Sequence, residues 1–394
     1  MQIRKMTLEE NAKYRLLGYE SFLLQADDDY TTWSAEKFAE STENYIKLGA
    51  FDDSGELLGG LYVLPYEMQF DNKTVRMAGI QGVLVAPEAR DKKIADKLMR
   101  ETLRIIRQEG FVFSALYPFS YAYYRRFGYE VAHEKHMAKI PLEDIPFPFP
   151  QGKIKFWKKD DDPADIREIY SKFAQNYNLA IVRNDEDWTD ILDGDPYLDR
   201  KYTYIHYDTK NSPTAYLRFE TVEGEDSKEL LVMELAYIDK FGLIAMLGFV
   251  ARLRSQFGYM NWDMPSDVDL YSILPEAWNL SITTEPSIML RIVDVKAALE
   301  NMHPHGDGAV IVEVADEILS ENTGKYSVSW ENGKTAVRRT GKKADISTSI
   351  EGLAQLIIGY TDPSTYHPDT VIHNHTPHLT QLFHKKNRYI WEKF

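Results

Sequence analysis

The sequence predicts an α/β (α+β) protein of two or three domains built around mixed sheets. Three observations carry that class. At 394 residues the chain is too long for a single hydrophobic core. Short runs with strand-like alternation are interleaved with helical stripes whose apolar residues recur every three or four positions. A proline-rich stretch (Pro141, Pro146, Pro148 and Pro150) interrupts both patterns and marks a first domain boundary.

The elements follow in order. After an early helical segment, residues 44–64 alternate and break at Asp52-Asp53-Ser54-Gly55, a hairpin signal. Residues 79–86 form a short apolar strand stopped by Pro87. Ile94, Leu98, Thr102 and Ile106, joined by Met99 and Leu103, make an i, i+4 stripe, and Gly110 stands where a helix C-cap belongs. Strands at 111–117 and 129–140 flank an aromatic segment. In the middle third, 215–221 and 230–238 are strand-like, and 241–256 is a helix closed by Gly258. A second boundary falls near Pro286. Beyond it, 289–295 leads into a helix at 297–302, and 310–314 is a strand. Residues 326–337 form a hairpin on Asn332-Gly333, a strong type I′ signal. Helical segments at 349–359 and 378–383 complete the chain.

Composition narrows the function. Hydrophobic residues make up 44% and charged residues 27%, and no apolar run approaches the roughly 20 residues that span a bilayer. The N-terminus lacks an apolar signal core and cysteine is absent, so a cytoplasmic location is expected, without thiol catalysis or thiolate metal sites. A net charge of −15 argues against nucleic acid as the partner, which needs clustered positive charge. It suits cationic partners such as amines, or simply solubility. No metal site is expected: the histidines between His367 and His384 lie in a proline-flanked, irregular context, and His133-Glu134-Lys135-His136 falls on a strand.

The chemistry concentrates in two segments. Val83-Leu84-Val85-Ala86-Pro87 runs into Glu88-Ala89-Arg90-Asp91-Lys92-Lys93 and then a helix. The first turn of a helix offers free N–H donors and partial positive charge, a site for pyrophosphate, and Arg90, Lys92 and Lys93 add to it. Alone, a basic strand–turn–helix is a common pattern. The second segment, Tyr123-Tyr124-Arg125-Arg126-Phe127-Gly128-Tyr129, changes the odds.

Together the two segments resemble the GCN5-related N-acetyltransferase (GNAT) superfamily. Its cofactor loop reads Arg/Gln-x-x-Gly-x-Gly/Ala, and a tyrosine precedes its Phe-Gly-Tyr ending. Here the loop is Arg90-Asp91-Lys92-Lys93-Ile94-Ala95, with Lys93 in place of glycine. Amide donation survives that change if Lys93 takes ordinary helical angles with its side chain outward. Over the whole chain, tandem GNAT regions followed by Met289-Leu290-Arg291-Ile292-Val293-Asp294-Val295 resemble the Eis (enhanced intracellular survival) acetyltransferases.

That resemblance implies a catalytic GNAT domain at 1–148, a degenerate one at 149–287 and a sterol-carrier-like domain at 288–394. It implies acetyl-CoA as cosubstrate and direct attack by an amine. Tyr124 would be the general acid and the α-carboxylate of Phe394 the base. Val83, Leu84 and Val85 would pair with the pantetheine arm. Arg90, Asp91, Lys92, Lys93, Ile94, Ala95 and Asp96 would hold the pyrophosphate, with Phe119 and Ser120 as further contacts. Phe22, Asp27 and Trp33 are candidates to face the amine, equally readable as an Asp-rich loop beside a core tryptophan. The resemblance further implies an aminoglycoside-type or polyamine-type substrate and a homohexamer, while charge and the lack of a long apolar run predict no nucleic acid or membrane partner. Acetylation of protein lysines, or lipid binding by the sterol-carrier-like domain, are the alternatives.

Overall fold

The computed structural model describes residues 1–25, 43–146, 148, 151–224, 227–365 and 367–394. The chain forms two compact units. The first comprises Met1–Ala132, Ile288–Lys385 and Glu392–Phe394; the second comprises His133–Ser287 and Lys386–Trp391.

In the first unit a mixed sheet contains β1 (Gln2–Lys5), β2 (Ile46–Phe51), β3 (Leu57–Phe70), β4 (Lys73–Val85), β5 (Phe113–Leu116) and β6 (Glu130–Val131). A further strand, Met289–Ile292, lies between β5 and β6, antiparallel to both. The hairpin at 52–55 forms as expected between β2 and β3. A longer one joins β3 to β4 through Asp71 and Asn72, both at positive φ as a type I′ turn requires. Helix α1 (Leu8–Phe22) starts in a capping box between Thr7 and Glu10.

Helix α2 (Ile94–Gln108) buries the stripe that its spacing predicts: Ile94, Leu98, Met99, Thr102, Leu103 and Ile106. Each of the large apolar side chains contributes about 1.5–3 kcal/mol of burial, so the helix is held chiefly by that face. It ends in a Schellman motif, with Phe111 N–H on Ile106 C=O and Gly110 N–H on Arg107 C=O, both at 3.0 Å. Gly110 has φ +79°, which makes it the C′ residue.

The rest of the first unit is a five-stranded sheet in the order Lys334–Arg339, Gly324–Glu331, Gly308–Ala315, Ile346–Ser349, Val371–Ile372. Its hairpin turns on Asn332 and Gly333, both at positive φ. Arg291, fully buried, ties this region to the first sheet. Its guanidinium donates to both carboxylate oxygens of Asp316 at 2.8 Å and to the Phe127 carbonyl at 2.6 Å. A Cβ on Gly128, at φ +80°, would stand 1.6 Å from that guanidinium, so only glycine fits there.

The second unit holds a seven-stranded sheet in the order Ser281–Pro286, Glu134–Pro141, Tyr259–Met264, Lys228–Tyr237, Pro213–Glu223, Lys201–Tyr207, Lys153–Trp157. The helix expected at 241–256 spans Lys240–Val250, capped by Asp239, and continues as one 3-10 turn at Ala251–Leu253. Strand exchange crosses both expected boundaries. The strand read at 129–140 divides into β6 in the first unit and Glu134–Pro141 in the second, while 289–292 belongs to the first sheet. Short buried strands announce themselves locally, but pairing is non-local and leaves no mark in the pattern.

Candidate active site

The site begins with a break in pairing. β4 and β5 run parallel only from Met77↔Phe113 to Gly79↔Ala115. Past Gly79 they part, and the edge of β4 from Ile80 to Val85 faces a cleft of about 830 Å³. On the other side of β4 the register to β3 shifts, from Tyr62↔Gln81 to Gly60↔Leu84, so Gly82 and Val83 form a bulge. Gly82 takes φ +63°, and a Cβ there would meet the Tyr14 hydroxyl at 2.5 Å. That hydroxyl donates to the Gly82 carbonyl, pinning the bulge to α1, and burial pushes its pKa well above the tyrosine range. Bulges of this kind re-aim a strand at functional sites.

The turn from β4 into α2 forms one end of the cleft. Lys92 N–H closes on the Arg90 carbonyl around Asp91, which has φ +58°. Lys93 then adopts φ +56°, ψ 31° as the N-cap. This corrects the expectation of ordinary helical angles: the lysine takes the left-handed conformation in which the glycine of the motif would be unstrained. The N–H groups of the first turn, Ile94 to Asp96, remain without intrahelical acceptors. Arg90 donates to the Ser21 carbonyl at 2.6 Å, tying the turn to α1. The Asp96 carboxylate is held by Arg100 at 2.9 Å and Arg126 at 3.0 Å, which offsets its negative charge beside the helix N-terminus.

A short helix, α3 (Tyr121–Arg125), carries the tyrosine. Ser120 caps it, accepting from Tyr123 N–H at 3.3 Å. Tyr124 is 4% exposed, stacked edge-on with Phe119, Tyr123 and Tyr129, and it lines the cleft. Burial, with smaller contributions from Tyr123 and Tyr129, pushes its pKa well above 10. Among the described residues its hydroxyl has no hydrogen-bond partner. Across the cleft lies Phe394. Its ring packs between Tyr66 at 5.3 Å and Tyr117 at 5.5 Å, and Tyr117 donates to the Glu392 carbonyl at 2.7 Å. Phe394 also lies against Gly79, where a Cβ would be 3.1 Å from its ring, at the point where β4 and β5 part.

Most of the residues read from the sequence converge on this one cleft. Val83, Leu84, Val85, Arg90, Asp91, Lys93, Ile94, Ala95, Asp96, Phe119, Tyr124, Phe394 and Phe22 all line it. Lys92 and Ser120 do not. Asp27 and Trp33 lie outside the described residues. The sequence reading assigned no role to Ser21, Ile80, Gln81, Gly82, Ala89, Tyr117, Tyr123 and Arg126, which also line the cleft. Gly82 carried a signal as a glycine interrupting a strand pattern, and Tyr123 and Arg126 lay inside the motif segment at 123–129 without being assigned a role.

The strand edge and helix N-terminus suit an extended, phosphate-bearing ligand. Comparison with known proteins agrees. Residues 2–132 and 179–292 match acetyltransferase (GNAT) domain families, and 295–391 match a sterol carrier protein domain. An uncharacterized N-acetyltransferase of Streptomyces coelicolor is 24% identical, over 82% of each chain. A GCN5-related N-acetyltransferase from Anabaena variabilis covers both chains fully, at 25% identity and a TM-score of 0.87. Eis1 from Mycobacterium abscessus shares the fold over the full length of both chains, at 19% identity and a TM-score of 0.81. Fold and site thus define an acetyltransferase enzyme. The chain carries two acetyltransferase (GNAT) domains followed by a sterol carrier protein domain.

No helix among the described residues is long and apolar enough to cross a membrane.

Proposed function

We propose that this protein transfers acetyl from acetyl-CoA to an amine of a small cationic molecule of the aminoglycoside or polyamine type. The observation that carries the reading is the convergence of Tyr124 and Phe394 on a cleft that also presents a free strand edge and a helix N-terminus. Acetyl-CoA, when bound, supplies the thioester. The amides and carbonyls of Val83, Leu84 and Val85 pair with its pantetheine arm as an added strand would. The first turn of α2, with Arg90 and Arg126, receives the pyrophosphate. Phe119, 75% exposed at the rim, gives an apolar wall.

In this mechanism the amine attacks the thioester carbonyl directly. A C–N bond forms, the C–S bond breaks, and no acyl-enzyme intervenes. Tyr124 donates a hydrogen bond to the departing thiolate; full proton transfer to a thiolate of pKa about 8.5 is uphill, so the bond acts by strengthening in the transition state. The raised pKa of Tyr124 keeps it protonated at neutral and mildly alkaline pH, where the amine becomes free. The α-carboxylate of Phe394 draws the ammonium into place and takes its proton, directly or through water. The net charge of −15 favours approach of a cationic acceptor. The N-terminal domain reacts and the C-terminal domain delivers the base.

The test is acetyl-CoA turnover against a panel of amines, read as free thiol released. Polyamines and aminoglycosides should be acetylated with saturation. Turnover confined to lysine-bearing peptides would replace this acceptor class, and none with any amine would overturn the reading.

A further inference from the structure

Arg218, in the second unit, presents a different anomaly. It lies mid-strand in Pro213–Glu223, opposite Glu234 on one neighbour and Thr203 on the other. Only 4% of it is exposed. A buried cation is costly unless a counter-charge or hydrogen-bond acceptor touches it. Among the described residues Arg218 has neither a hydrogen bond nor an ion pair.

The nearest carboxylate is already committed. Glu234 takes two hydrogen bonds from Arg183, at 2.5 and 3.1 Å, and a third from the Tyr216 hydroxyl at 2.5 Å. Burial lowers the pKa of Arg218, and the more distant field of Glu234 only partly restores it. The side chain instead reaches a narrow pocket that it shares with Trp157, Lys159, Gly194, Lys201 and Thr203. Lys159 is paired with Asp193 at 2.5 Å. Among the described residues Lys201 makes no ion pair and the buried Thr203 hydroxyl makes no hydrogen bond. Three cations, Arg218, Lys159 and Lys201, thus line the pocket with one carboxylate, Asp193, while Asp160 and Asp195 act on Lys159 from farther off.

We propose that this pocket binds one small inorganic anion of halide size, held by the Arg218 guanidinium, the Thr203 hydroxyl and the field of Lys201. The space in it open to the centre of a water-sized sphere is about 10 Å³, so it takes a single small occupant. The anion supplies the counter-charge that the fold withholds, and it joins strands Lys201–Tyr207 and Pro213–Glu223 from the side. It has no part in the acetyl transfer.

The full chain is unfolded by heat in sodium chloride and in sodium gluconate at equal ionic strength, gluconate being too large to enter. Chloride should raise the transition of the second unit by about 2 °C or more. Arg218→Met, which removes the buried charge at similar volume, should abolish the difference. Thr203→Val should reduce it. Crystals grown in sodium bromide should show an anomalous peak within hydrogen-bond distance of the Arg218 guanidinium. An equal transition in both salts, a chloride effect undiminished in Arg218→Met, or no bromide peak beside Arg218 would each overturn the proposal. Should Arg218→Met fail to fold, the bromide map of the unaltered protein decides alone.

Discussion

Two GNAT-type sheets in this chain each contain a parallel strand pair that separates partway along, and the two gaps are filled differently. In the first unit β4 leaves β5 after Gly79, and the gap is a cleft of about 830 Å³. In the second, Lys228–Tyr237 pairs with Tyr259–Met264 only from Glu229↔Tyr259 to Leu231↔Asn261. There, side chains bridge the parted strands. The Tyr177 hydroxyl lies 3.5 Å from that of Tyr237, and Tyr177 also donates to Asp267 at 3.0 Å. Tyr389 packs on Tyr177 and donates to the Asp263 carbonyl at 3.1 Å. The segment Lys386–Trp391 is pinned there by Asn178, whose N–H donates to Asn387 and whose carbonyl accepts from Tyr389. A shared topology therefore offers two possible sites, and side-chain volume decides which one remains open.

The sharpest way to break this comparison is to remove one hydroxyl from each gap. Tyr124→Phe should lower kcat by about 10²–10⁴-fold, with CoA affinity by calorimetry nearly unchanged. Tyr177→Phe should leave kcat where it was and cost about 1 kcal/mol of stability from a lost hydrogen bond. Equal losses of kcat in the two variants would remove Tyr124 from the mechanism. Because burial raises the pKa of Tyr124 above 10, the alkaline side of the kcat profile should stay flat through pH 10. A fall near pH 9 would mean that the group donating to the thiolate is another one.

Next in size is the far wall of the first cleft. Two residues appended after Phe394 displace its carboxylate while leaving the Tyr66 and Tyr117 contacts to its ring. Turnover should fall by about 10–100-fold, with acetyl-CoA still bound. Unaltered turnover would sever Phe394 from proton removal.

The second gap can be reopened. Tyr389→Ala should destabilise the second unit by about 3–5 kcal/mol through the cavity it leaves. Calorimetry should still count one CoA per chain, because the opened gap has no basic turn at its helix: Ala236, Tyr237, Ile238 and the N-cap Asp239 precede it where Arg90 to the N-cap Lys93 precede the first. A second CoA bound by this variant would show that packing alone silenced the domain.

How much of this was legible in the sequence depends on whether the signal was local. The stripe of α2, the cap at Gly110 and the Asn332-Gly333 turn could be read because each is set by neighbours a few residues away. The cleft residues from Val83 to Asp96 could be read from the motif they resemble. The place of Met289–Ile292 within the first sheet could not, since four buried residues fit any sheet. Nor could the contacts of Tyr14 with Gly82 or Arg126 with Asp96, which join residues 68 and 30 positions apart. The closure of the second gap by Tyr389 was equally hidden, because nothing near Asn178 announces a partner at the far end of the chain.

The smallest expected effect concerns Lys93, where sequence and structure pull apart. Left-handed backbone costs a side-chain-bearing residue roughly 1–2 kcal/mol relative to glycine. Lys93 adopts it without a capping hydrogen bond, and Asp91 does the same two residues earlier. Such strain persists only where surrounding structure enforces it, here the buried Ile94 and Ala89 on either side of the turn. Lys93→Gly should therefore raise stability by about 1 kcal/mol, partly offset by the greater freedom of glycine in the unfolded chain. It should hold CoA affinity within a few-fold, since removing a positive charge opposes the relief of strain. Lys93→Ala separates the two effects: it keeps the strain and loses the charge, so CoA should bind more weakly than to either. If Lys93→Ala bound CoA as tightly as the parent, the ammonium would contribute nothing, and the turn would hold phosphate through its backbone and Arg90 alone.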